Sequence, residues 1–153
     1  MLLAITKSVT LPQAVDQVWA LLQDPVRVAG CLPNVRDFQP AATPGRYTTL
    51  LVERLGPFSV QVALAIDVTE DPAARRMVAT VSGEDRAGQA RVRGDVTATV
   101  GEAGEGASLE IVSNVEVLGR MAALGAVPMR RRGDQVFEQF IRNIGELLGG
   151  RDG

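Results

Sequence analysis

Few residues in this chain of 153 are equipped for covalent or acid–base chemistry. There is no histidine, the side chain that most readily exchanges a proton near neutral pH. The single cysteine, Cys31, excludes an intramolecular disulfide and any thiolate metal cluster. A lone thiol attacks only beside a base that ionises it, and within Ala29-Gly30-Cys31-Leu32-Pro33 a small packed role suits it better. The glycine-rich run Gly101-Glu102-Ala103-Gly104-Glu105-Gly106 carries acids that repel phosphate, so it reads as a turn. Acid–base catalysis needs a titratable group inside a pocket. Glu53 and Arg54 are the candidates, because the segment Tyr47 to Leu55 has apolar residues at both parities and its inward face is undetermined. The plain alternative for both is a solvated place at an edge or mouth, since unpaired charges are rarely buried. No catalytic residue and no metal ligand is assigned, which leaves a chain suited to holding a molecule rather than transforming it.

Holding requires elements that enclose. Leu3, Ile5, Val9 and Leu11 alternate with Ala4, Thr6, Ser8 and Thr10, which predicts a half-buried strand ending at Pro12. Pro12 suits the first turn of a helix, and Val15, Val18, Trp19 and Leu22 then fall on one helical stripe. Asp24-Pro25 predicts a second short helix, which Leu32-Pro33-Asn34 ends. Five strands follow, at Tyr47 to Arg54, Phe58 to Thr69, Arg76 to Glu84, Ala90 to Val100 and Leu109 to Val117, with turn residues between them. From near Pro128, Met129, Gly133, Val136, Phe137, Phe140, Ile144 and Leu147 recur at helical spacing, which predicts one long closing helix.

Six or seven strands about 4.8 Å apart span roughly 30 Å, whereas a helix is about 10–12 Å across, so the sheet has to curl to be covered. The expected fold is α+β: a curled antiparallel sheet of six to seven strands around a long C-terminal helix, with two short helices after the first strand. One domain over residues 1–149 and a short flexible tail over 150–153 are expected from the length. A hydrophobic content of 46% with 22% charged residues is globular, and a net charge of −2 speaks against nucleic acid as the partner. No apolar run reaches the about 18 residues of a membrane span, and Met1-Leu2-Leu3-Ala4-Ile5 has no basic lead. A soluble cytoplasmic protein is expected.

The curl should leave a cavity for an apolar small molecule. Its walls are expected from Phe58, Val60, Val62, Leu64 and Ile66 on one strand, and from Met77, Ala79, Val81, Val92, Val96, Ile111 and Val115 on the next three. Met121, Leu124, Met129, Val136, Phe137 and Phe140 would close it from the connection and the helix. With aromatic residues at only 4%, medium and small side chains leave volume; dense packing without a cavity is the opposing expectation. The apolar connection Leu118 to Met129 leads into Arg130-Arg131-Arg132. Met121 and Leu124 beside Arg130, Arg131 and Arg132 suit docking on an anionic bilayer or a partner; the alternative is a packed lid with three solvated arginines.

Several local signatures resemble a known group. They are Leu11-Pro12 with Val18-Trp19 and Leu22, Asp24-Pro25 through Cys31-Leu32-Pro33-Asn34, Leu55-Gly56-Pro57-Phe58, and Leu118-Gly119-Arg120 with Leu124-Gly125. Their order is similar to the START-related helix-grip superfamily (SRPBCC), and more narrowly resembles the CoxG family of carbon monoxide dehydrogenase subunits. The resemblance covers essentially the whole chain. It implies a helix-grip fold and a non-catalytic accessory of a molybdenum-type carbon monoxide dehydrogenase or related hydroxylase. It further implies recruitment to the inner face of the cytoplasmic membrane and a bound quinone or similar lipid, with no covalent cofactor. Some relatives carry a long tail or membrane segment after the last helix, whereas this sequence stops at Gly153, so permanent anchoring is not expected. A cyclase- or hydrolase-type enzyme on the same fold and a pure protein-interaction module are the rival readings.

Overall fold

The computed structural model describes residues 1–149; the expected tail over 150–153 lies outside them. In chain order the elements are β1 (Leu2–Leu11), α1 (Val15–Leu22), α2 (Pro25–Ala29), β2 (Val35–Pro40), β3 (Arg46–Leu55), β4 (Phe58–Asp71), β5 (Arg76–Asp85), β6 (Arg91–Ala103) and β7 (Gly106–Leu118). A 3-10 turn (Arg120–Leu124) and the long α3 (Ala126–Gly149) close the chain. All strand pairs are antiparallel, in the order β1-β7-β6-β5-β4-β3-β2. Local chemistry agrees with the sequence at α2, where Asp24 accepts from the Arg27 amide at 3.3 Å and Pro25 takes the first turn. The edge strand β2 is the element that residue patterning missed. Asp37 sits at φ 54° and the pairing with β3 shifts between Arg36 and Gln39, so the bulge erases the period-2 signal.

Pairing settles which face of β3 turns inward. Leu51 lies opposite Val62, Glu53 opposite Val60 and Thr49 opposite Leu64, and directly paired residues share a face. The buried residues of β4 therefore carry Thr49, Leu51 and Glu53 inward with them, and Arg54 outward. Lys7 is likewise on the inward face of β1, opposite Ile111.

The core falls into two clusters. At the closed end, Val18, Leu21 and Leu22 of α1 pack with Leu109 of β7 and with Phe140 and Ile144 of α3. Nearer the start of α3, Val60, Val62, Leu64, Val92 and Val117 pack with Met121 and Met129. Between the two, α3 is held by charge. Arg132 pairs with Glu53 of β3 at 2.9 Å and Asp134 with Lys7 of β1 at 2.7 Å. Helix positions two apart point about 200° from one another, so these pairs reach the opposite flanks of the curled sheet.

Glycine makes the curl possible. Gly83 and Gly94 lie on the inward face, opposite Leu64 and Val115. A Cβ at Gly83 would run into the Ala63 carbonyl, and one at Gly94 into the Asn114 carbonyl. Strands bend this closely onto their neighbours only where no side chain intervenes. Gly94→Ala is expected to cost about 1–3 kcal/mol of stability, as overpacking does. The denaturant midpoint checks it, and an unchanged midpoint would show that the bend tolerates a methyl group.

Candidate functional site

Two recesses adjoin where the turns of the sheet meet the start of α3. The first is a cavity of about 120 Å³ between sheet and connection, walled by Leu51, Val60, Val62, Ala90, Val92, Val115, Val117 and Met121, with Glu53 as its one charged residue. The second, of about 1170 Å³, is an open trough that takes in outward residues of β3 and β4, Leu50, Val52 and Ala63 among them. Arg36, Arg54, Arg86 and Arg132 line it too. Glu53 and Val60 contribute to both, so the smaller recess and the trough meet at these two side chains.

Glu53 is held there from three elements. Its place on β3 aims it inward, and its side chain is only 10% exposed. Its Oε1 and Oε2 accept from Arg132 Nε at 2.9 and 3.0 Å, so α3 supplies the counter-charge. Oε2 also accepts from Asn34 Nδ2 at 2.8 Å. Asn34 is set beside it because its own carbonyl accepts the Val52 amide at 2.8 Å, where β2 joins β3. Charge-assisted bonds of this kind are the strong ones, and a carboxylate this shielded requires them.

Other candidates resolve plainly. Arg54 lies on the outer face and borders the trough. Cys31 is buried, its Sγ 3.6 Å from the Arg27 carbonyl. Burial pushes its thiol above the usual range, with the Arg27 cation pulling weakly the other way, so it is kept from the thiolate form that attacks. Among the described residues no group of three or more His, Cys, Asp or Glu is placed to hold a metal.

Of the expected cavity wall, Val60, Val62, Val92, Val115 and Met121 do line the smaller recess. Leu64 and Met129 are buried in the same cluster, with Phe58, Ala79, Val81 and Leu124 packed against it. Three expectations need correction. Met77, Ile111 and Phe140 belong to the closed-end cluster under α1, which plugs that end of the grip, and neither recess reaches them. Val96, Val136 and Phe137 are half-buried and belong to neither cluster. As docking residues, Met121 fails because it is 6% exposed and walls the cavity, and Arg132 because Glu53 occupies it. Leu124 is half-buried, close to Gly56. The exposed apolar residue beside Arg130 and Arg131 is Val127, at 67%, which patterning overlooked.

No curated protein matches this sequence. The family model for CoxG, a carbon monoxide dehydrogenase subunit, matches residues 8–149. A conserved protein from Geobacillus kaustophilus is similar in structure, with a TM-score of 0.84 at 21% identity over 97% of this chain and 96% of that one. A START superfamily protein from Mycobacterium smegmatis gives 0.69 at 13% identity, over 95% and 96%. The Zhui aromatase/cyclase from Streptomyces sp. R1128 gives 0.56 at 18% identity, over 98% and 93%. These likenesses establish a START-like helix-grip fold. No helix among the described residues is long and apolar enough to cross a membrane.

Proposed function

This chain belongs to the CoxG family of carbon monoxide dehydrogenase subunits, and from that premise we propose that it is a non-catalytic accessory that binds an apolar, quinone- or lipid-like molecule and serves a molybdenum-type carbon monoxide dehydrogenase or related hydroxylase at the cytoplasmic membrane. The observation that carries the reading is the small recess whose wall is apolar except for Glu53. Its volume of about 120 Å³ is close to that of cavities that admit one benzene ring, at about 150 Å³. Drug-sized sites run to about 300–1,000 Å³. The cavity thus seats a ring or a short chain segment, and the remainder of a longer ligand extends into the trough.

Organic extraction and native mass spectrometry of the purified chain test this. A co-purifying or added apolar molecule is expected at one per chain, and failure to take up any quinone or lipid would sink the reading. A cyclase or hydrolase on this fold would need Glu53 as its acid or base. Both of its oxygens are engaged by Arg132 and Asn34, and no second charged residue stands in the cavity wall.

For the membrane, the exposed groups are Arg130, Arg131 and Val127. Each arginine near an anionic bilayer contributes about 1 kcal/mol. Arg130→Gln with Arg131→Gln is expected to weaken co-sedimentation with phosphatidylglycerol vesicles at low salt and to matter little at high salt, where screening has already removed the attraction. Val127→Ser should weaken it at both, because apolar insertion is not screened. Wild-type protein that ignores such vesicles at low salt rules docking out.

A further inference from the structure

The cavity wall has one charged residue, and it stands where the apolar recess meets the trough. A ligand whose apolar part fills about 120 Å³ therefore passes Glu53 with its next atoms and meets Arg132, which borders the trough. The carboxylate is already supplied with donors, from Arg132 Nε on both oxygens and from Asn34 on one. The guanidinium is not exhausted. Its Nη1 reaches Gln135 Oε1 only at 3.4 Å, and Nη2 makes no hydrogen bond among the described residues. This junction therefore has donors left over at Nη1 and Nη2. The Glu53 carboxylate beside it offsets the Arg132 charge, which weakens its pull on an anion relative to that of an unpaired arginine.

The geometry points to Arg132, positioned by Glu53 and Asn34, as the head-group recognition residue of the cavity, favouring ligands that carry a carbonyl oxygen next to their apolar body. This rests on the ligand-binding reading and adds to it the residue that recognises the ligand's polar end. The carbonyl oxygen accepts from the free Nη donors while the ring or chain enters the apolar space.

Acetophenone and α-methylstyrene have the same heavy-atom shape and differ in C=O against C=CH₂. Their affinities for the full chain, from NMR titration, give a ratio in which size and burial cancel. The double variant Glu53→Gln, Arg132→Met removes the donors without leaving a lone charge, and it is expected to lower the ratio in favour of acetophenone by about tenfold, what one hydrogen bond to a charged donor is worth. Binding of α-methylstyrene should stay within about threefold. Glu53→Gln alone, which keeps Arg132, should retain most of the ratio. In the wild type, the Arg132 guanidinium ¹⁵N resonances should shift with acetophenone and not with α-methylstyrene, a readout that needs no variant to fold. An unchanged ratio in the double variant, or guanidinium signals indifferent to the ketone, overturns the assignment. If neither compound binds the wild type, the ligand-binding reading itself fails, and the assignment with it.

Discussion

Ile144→Ala is expected to lower the free energy of unfolding by about 2–5 kcal/mol. Ile144 is 1% exposed and sits where α3 meets α1, in the cluster that includes Val18, Leu21 and Leu109. Truncation removes buried methyl groups and leaves a void, because helices on both sides are fixed by other contacts in the same cluster. Domains of this size are stable by about 5–15 kcal/mol, so the loss is a large fraction of the whole. A chemical denaturation curve measures it, and the slope should stay constant while the midpoint falls. Phe137→Ala, at a half-buried position outside both clusters, should cost much less. Equal losses at the two positions would mean that the second half of α3 does not dock as described.

The second large effect is on binding. Val62 is 0% exposed and walls the apolar cavity, so Val62→Trp puts an indole into the space the ligand ring would take. Affinity for an apolar probe should fall by more than about tenfold, while overpacking costs about 1–3 kcal/mol of stability. The two are separable: circular dichroism reports folding and probe fluorescence reports uptake, at a temperature where the variant remains folded. A folded variant with undiminished uptake would place the ligand in the trough and not between sheet and connection.

Much of this architecture was legible in the residues. Period-2 alternation in Phe58 to Val68 identified both strand β4 and its inward face, because one face is buried and the other solvated along the whole run. The helical stripe Phe140, Ile144, Leu147 was equally plain, for it packs on one side only. What stayed hidden is long-range. Nothing near Glu53 in sequence announces Arg132, 79 positions away, and β3 has apolar residues on both faces because the trough partly shelters its outer one. The split of the core was also invisible: alternation shows that Met77 and Val62 face inward, but not that α1 seals one end and leaves the other to a cavity. Lys7 was the exception. It keeps the parity of Ile5 and Val9, so its inward direction was readable, although its partner Asp134 was not.

The way α3 is fastened divides it into two mechanically different halves. Beyond Phe140 it is bound by buried apolar area, which dissolved ions hardly touch. Before Phe140 only Met129 is buried, and two ion pairs, Arg132 with the sheltered Glu53 and Lys7 with the more exposed Asp134, tie the helix to the sheet. Screening shortens the reach of such charges to about 8 Å at physiological ionic strength and about 3 Å at molar salt. Ionic strength therefore bears first on the more exposed tie, Lys7 with Asp134, while the sheltered Glu53 keeps its hold on Arg132 and the hinge at the sealed end keeps its grasp.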